Sequence, residues 1–134
     1  MVLLDTDHMS LLERNEAESR FLRRRLSSIP PDDLAVSIIS YEEQTRGWLS
    51  YIAQAKSPDA QIEAYRRLKR HLRQYCAFPV IDYDARAVGQ FQRLLALRLR
   101  VGTMDLKIAA VALANNALLL TRNLNDFKKV PDLN

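Results

Sequence analysis

The 134-residue chain contains one cysteine, three glycines, five prolines and no long apolar run. Cys76 alone cannot form an internal disulfide, and the first residues, MVLLDTDHMSLLERNE, lack the basic flank and apolar core of a secretory signal. We therefore expect a reducing, cytoplasmic setting. The longest apolar stretch, IAAVALA at 108–114, is far shorter than the ~20 residues of a membrane-spanning helix, so we expect no membrane insertion.

What is present is typical of an ordinary globular domain. Hydrophobic residues make up 48% of the chain and charged residues 27%, and a chain of 134 residues can bury a sizeable core without disulfides. We predict a single domain spanning residues 1–134. The net charge of +4 permits anionic partners without requiring them.

Short apolar runs alternate with longer segments of helical periodicity. The predicted strands are the short apolar start MVL, which leads to Asp5, LAVSII at 34–39, a short strand within FPVIDYD at 78–84, and ALLLTRN at 117–123. Strands separated by helices imply right-handed crossovers. We therefore predict an α/β fold of three layers, with a central, mostly parallel sheet of four to five strands flanked by helices.

Three helix starts are predicted from capping patterns. Ser40 stands three residues before Glu43, the spacing of a capping box, while Asp84 and Thr103 are the predicted caps of two later helices. Between them, SPDA at 57–60 separates two helices that are expected to form a hairpin.

Acidic residues follow the predicted strands. Asp5 follows the first strand, Glu43 opens the helix after the second, and Asn123 and Asp126 follow the fourth. In a parallel sheet the carboxyl ends of the strands lie at one edge, so we expect these residues to lie at that edge. Asp105, after VGTM, lies at that edge only if its loop crosses there.

Carboxylates gathered at one edge repel each other, and a bound cation would neutralise them. Oxygen ligands favour Mg²⁺ or Mn²⁺, and two histidines beside one cysteine give no zinc-binding spacing. The pattern predicts a metal-dependent nuclease or phosphatase, in which the ion activates water for attack on a phosphate ester.

Structural roles compete with this interpretation. Glu43 would only complete the capping box, Asp105 would only stabilise a helix dipole, and Asp7 and His8 would be turn or cap residues. Asp5 has no comparable local role in the sequence pattern.

Four motifs in order, VLLDTD, SIISYEEQTRG, VGTMDLKIAAVAL and LLLTRNLNDF, span nearly the whole chain. Together they resemble the PIN-domain family, particularly the VapC-type toxins of toxin-antitoxin pairs.

The resemblance implies an endoribonuclease dependent on Mg²⁺ or Mn²⁺, with Asp5, Glu43 and Asp105 at its acidic metal-site positions. Asn123 stands where many relatives have an acid, and Asp126 follows three residues later, so either would complete the site. Further auxiliary positions implied by the same motifs are Asp7, Thr6, Thr103 and Thr121.

The resemblance also implies partners: tRNA or another structured RNA as substrate, a cognate antitoxin, and a second copy of the chain in a homodimer. Arg46 and Arg122 lie beside the motif positions of Glu43 and Asn123, where either would contact RNA phosphate or pair with a site carboxylate.

Two other functions compete. A haloacid dehalogenase phosphatase would explain LLDTD and LLLT, but Met9 replaces the Thr or Val of its signature, and too few residues follow Thr121 to supply its remaining motifs. The other alternative is a catalytically degenerate PIN-like module that binds RNA or protein, which Asn123 leaves open.

Overall fold

The computed structural model describes residues 1–13 and 17–134. Its sheet has four parallel strands, β1 (Val2–Leu4), β2 (Leu34–Ser37), β3 (Val80–Ile81) and β4 (Leu118–Leu120), in the order β3-β2-β1-β4. The predicted parallel α/β fold is confirmed. The second strand ends at Ser37, earlier than predicted, because helix α3 begins at the next residue.

Helices connect the strands and cover both faces of the sheet. Within the described residues they are α1 (Thr6–Glu13), α2 (Ala17–Leu26), α3 (Ile38–Gln54), α4 (Pro58–Cys76), α5 (Ala85–Ala96), α6 (Thr103–Ala114) and α7 (Leu124–Phe127), with a 3₁₀ turn at Pro31–Asp33. In this part of the chain no helix combines the length and apolar character needed to cross a bilayer.

Two apolar clusters lie on opposite faces of the sheet. Alternate side chains of β1 separate them: Leu3 packs with the cluster under α5 and α6, and Leu4 packs with the cluster under α1, α2 and α4. Buried Phe127 and Val130, after β4, complete the first cluster. This division gives the three predicted layers.

Helix caps differ from the predictions at two of three starts. Asp84 caps α5 as predicted, by accepting from the amide of Ala87. The predicted cap at Ser40 is wrong, because Ser37 caps α3 and accepts from the Ser40 amide. The predicted cap at Thr103 is also wrong, since Gly102 holds the cap position of α6 and Thr103 is its first helical residue.

Helices α3 and α4 form the expected hairpin, and a polar cluster lies between them and α1. His71, 1% exposed, places Nε2 2.8 Å from the hydroxyl of Thr45. Gln74 donates to the carbonyl of Met9. Because α4 turns these side chains inward, the apolar Ile62, Tyr65 and Leu72 are at least half exposed.

Both edges of the sheet are short or occupied. β3 contributes two residues, and on the other edge the amide of Leu119 in β4 donates to the carbonyl of Asn134 at 3.0 Å. The length of edge available to an added strand is therefore short on both sides.

Glu13, at the end of α1, predicts a pH dependence of stability. Burial raises the pKa of its carboxyl to about 6, only partly offset by Arg70. The folded chain therefore holds this proton more tightly than the unfolded chain, and the free energy of unfolding falls as pH rises from about 4.5 through 6. Glu13→Gln should stabilise the protein at pH 7.5 by about 1 to 2 kcal/mol, and not near pH 4.5.

Urea unfolding at both pH values measures this difference. Glu63→Gln is the matched control, because Glu63 is exposed and ion-paired with Arg66 and Arg67, so no gain is expected there. A gain for Glu13→Gln that is equal at both pH values would contradict the titration.

Candidate active site

A cavity of about 370 Å³ opens at the edge where β1, β2 and β4 end. The loop before α6 crosses this edge, so Asp105 joins the acids that follow the strands. The cavity is lined by Asp5, Thr6, Asp7, Glu43, Gly102, Thr103, Met104, Asp105 and Asn123. The structure thus brings most of the predicted site residues together.

Asp5 is the most constrained of these acids. It is 3% exposed, and its Oδ1 accepts from the backbone amide of His8 at 3.0 Å and lies 2.9 Å from the His8 ring Nδ1. Its Oδ2 accepts from the hydroxyl of Thr121. The amide contact makes Asp5 the cap of α1, so the sequence-based conclusion that it has no local structural role is wrong.

The pKa of Asp5 lies below its usual value. Burial acts in the opposite direction, but the hydrogen bonds from His8 and Thr121 favour the ionised form and outweigh it. Asp5 is therefore held as a carboxylate.

Glu43 and Asp105 show the reverse shift. Burial raises the pKa of both carboxyls, and the charges of Asp5 and Asp7 add to the effect. A hydrogen bond from Thr6 to Glu43 and one from Asn123 to Asp105 offset this only in part. Since Ser37 caps α3, Glu43 has no part in a capping box and faces the cavity instead.

Three buried hydroxyls connect β2 to this site. Ser37 donates to the Oγ of Ser40 at 3.3 Å, and the Oγ1 of Thr6 lies 3.2 Å from the same Ser40 oxygen. Ser37 and Ser40 were missed as supporting residues, although their spacing at a strand-to-helix junction is visible in the sequence. They fix the hydroxyl of Thr6 beside Glu43.

Asn123 links the last strand to Asp105. Its side-chain amide donates to Asp105 at 3.3 Å and to Asp126 at 3.0 Å, and its backbone amide donates to Thr121 at 2.9 Å. Asn123 lines the cavity, whereas Asp126 is not among the lining residues. The Oδ1 of Asp126 lies 3.5 Å from the Nζ of Lys129.

The two candidate arginines point away from the acids. Arg46 pairs with Glu42 at 2.5 Å, one helical turn back on α3. Arg122 lies 3.9 Å from Glu18 and lines a neighbouring groove of about 890 Å³, which also includes His8 and Thr121. Neither neutralises a carboxylate of the cavity.

The donor set of the cavity suits a hard divalent cation. In the described part of the chain no three His, Cys, Asp or Glu side chains are already close enough to hold one ion. The carboxylates nevertheless face one cavity, where burial and, in addition, repulsion among the acids raise the pKa of Glu43 and Asp105; a bound cation would offset both. On this ground the residues fit Mg²⁺ or Mn²⁺.

Comparison with known proteins gives a consistent picture. The family model of the PIN domain matches residues 2–133. Ribonuclease VapC1 of Haemophilus influenzae (strain R2866) is 28% identical over 133 residues, which cover 98% of this chain and 92% of that protein.

Two solved structures share the fold over nearly the whole chain. VapBC2 from Rickettsia felis, bound to a DNA fragment from its promoter, aligns with a TM-score of 0.74 and 24% identity, covering 99% of this chain and 96% of that chain. A toxin-antitoxin complex from Klebsiella pneumoniae aligns with a TM-score of 0.72 and 22% identity, covering 100% and 96%.

The position of Asn123 predicts the effect of one added charge. Asn123→Asp would replace two hydrogen bonds by repulsion from Asp105 and Asp126, and should lower the free energy of unfolding by about 1 to 3 kcal/mol without divalent cations. Excess Mg²⁺ should recover part of that loss. The control is Asn125→Asp, since Asn125 is exposed in α7, the helix that follows Asn123. Thermal melting with EDTA or Mg²⁺ measures both, and equal losses in the two variants would contradict the proposed role of Asn123.

Proposed function

The chain belongs to the PIN-domain family, and from this premise we propose that it is a metal-dependent endoribonuclease acting as the toxin of a toxin-antitoxin pair. The match to VapC1 across nearly the whole chain supports a VapC-type ribonuclease. The dependence on a metal ion and the identity of the RNA substrate go beyond that match.

One observation carries the proposal of a metal. Asp5, Asp7, Glu43 and Asp105 line a single cavity, yet among the residues that the structure describes no basic side chain lines it with them. A helix cap or a helix dipole explains one acid at a time and gives no reason for four in one place. A divalent cation accounts for all four together.

In this proposal Asp5, Glu43 and Asp105 hold the cation, with Asp126 as a fourth metal ligand through a bridging water molecule. The cation would activate a water molecule and neutralise the charge that develops on a phosphodiester. During hydrolysis the water oxygen bonds to phosphorus, one ester P–O bond breaks, and the water's protons end on the leaving alkoxide and in solvent.

The other residues of the cavity position these groups. Thr121 donates to Asp5 and accepts from the amide of Asn123, so it fixes the first ligand relative to the segment that follows β4. Thr6 donates to Glu43, and the contact with Ser40 holds the Thr6 hydroxyl in place. Asp7 and Thr103 lie at the cavity wall, where they contact substrate or water.

The proposed substrate is tRNA or another structured RNA, and the proposed protein partners are a cognate antitoxin and a second copy of the chain. The proposal of an antitoxin partner rests on the similarity to a toxin-antitoxin complex, and the proposal of a homodimer rests on the family resemblance. Arg122, in the groove beside the acids, is the proposed phosphate contact, with Arg46 as a second.

Cleavage of a mixed tRNA pool tests the function. With Mg²⁺ or Mn²⁺ the purified protein should produce discrete fragments, and EDTA or Asp105→Asn should abolish them. Asp105→Asn should keep or slightly raise the melting temperature, because it removes a repelled charge. Asp32→Asn, an exposed acid in the 3₁₀ turn, should change neither cleavage nor stability.

Fragments that persist in EDTA would contradict the metal dependence. If RNA stays intact while the protein binds it and no metal binds, the degenerate binding module is the correct function.

RNA binding tests the role of Arg122. In the Asp105→Asn background, where no cleavage occurs, Arg122→Gln should weaken RNA binding at every sequence and reduce the slope of log affinity against log salt by about 1. Lys56→Gln, an exposed charge between α3 and α4, is the control. An unchanged slope would exclude a phosphate contact at Arg122.

A further inference from the structure

His8 is a residue of the site region to which the proposed function gives no role. It lies in the first turn of α1, and its side chain is 12% exposed. Its backbone amide and its ring Nδ1 both contact the same oxygen of Asp5, Oδ1, at 3.0 and 2.9 Å. The amide alone is enough to cap the helix, so the ring contact needs a separate explanation.

The chemistry of the contact defines the ring's protonation at this atom. Asp5 is an ionised carboxylate and can only accept hydrogen bonds, so the Nδ1 of His8 must carry the proton that it donates. The other nitrogen, Nε2, is then left for the neighbouring groove, which His8 also lines.

The hydrogen bonds of Asp5 are unevenly distributed between its oxygens. A carboxylate has about four lone-pair positions, two on each oxygen. Oδ1 accepts two donors from His8, whereas Oδ2 accepts one, from Thr121. The remaining lone pair therefore belongs to Oδ2.

We propose that His8 is a positioning residue, which holds Oδ1 of Asp5 and thereby leaves Oδ2 as the oxygen that binds the divalent cation. This inference rests on the proposed function, because it assigns a role toward the same cation. Partners that orient a metal ligand in this way commonly change metal affinity 10- to 100-fold when they are removed.

Two substitutions separate the hydrogen bond from the bulk of the ring. His8→Asn places an amide nitrogen near the position of Nδ1 and can still donate to Asp5. His8→Leu fills similar space without a donor. Calorimetric titration with Mn²⁺, in the absence of RNA, should give the asparagine variant an affinity within about threefold of the wild type and the leucine variant one at least tenfold weaker.

Urea unfolding of the same proteins verifies that both variants are folded. Nitrogen NMR of the wild type provides an independent readout, since the chain has only two histidines and His71→Gln assigns their signals. The Nδ1-protonated tautomer is expected at His8, and the opposite tautomer would overturn the proposal.

The outcomes distinguish this inference from the function on which it rests. Equal Mn²⁺ affinity in the wild type and the leucine variant would overturn the role of His8 alone. Equal weakening in both variants would overturn it too, because the asparagine retains the donor. Absence of Mn²⁺ binding in the wild type would overturn the proposed function and this inference with it.

Discussion

Repulsion among carboxylates is the constraint around which the site is built. A parallel sheet delivers the residues after its strands to one edge, and here the order β3-β2-β1-β4 brings acids from three connections into one cavity. The fold offsets their charges with hydroxyl and amide donors and with the ring of His8, and no Lys or Arg of the described residues lines the cavity. Thr121 donates to Asp5, Thr6 donates to Glu43, and Asn123 donates to both Asp105 and Asp126.

These donors act unequally, and the acids differ as a result. Asp5 accepts enough hydrogen bonds to overcome the effect of its burial, so its pKa is lowered. Glu43 and Asp105 accept too few, so their pKa values are raised. Neutralisation of Asp105 would therefore remove a charge that its surroundings disfavour, whereas neutralisation of Asp5 would remove a charge that its hydrogen bonds stabilise. Substitution of Asp5 also removes the cap of α1, so its effect on activity includes an effect on the helix.

The sequence predicts the layers, the parallel sheet and the acids at its edge because these follow from apolar periodicity and strand order. It does not predict local hydrogen bonding equally well. Ser37 and Ser40 are both good caps, and only the end of β2 determines that Ser37 caps the helix. The position of Asp105 depends on a loop crossing that no spacing encodes, and the partners of Arg46 and Arg122 depend on side-chain directions that motifs do not fix.

The short edge at β3 and the occupied edge at β4 limit how another protein can recognise this chain. β3 is too short to template an added strand, and the carbonyl of Asn134 already occupies an amide of β4. Recognition by strand addition is thus disfavoured at both edges. We therefore expect a protein partner to contact side chains, for example the exposed Ile62, Tyr65 and Leu72 on α4, rather than to pair its backbone with the sheet.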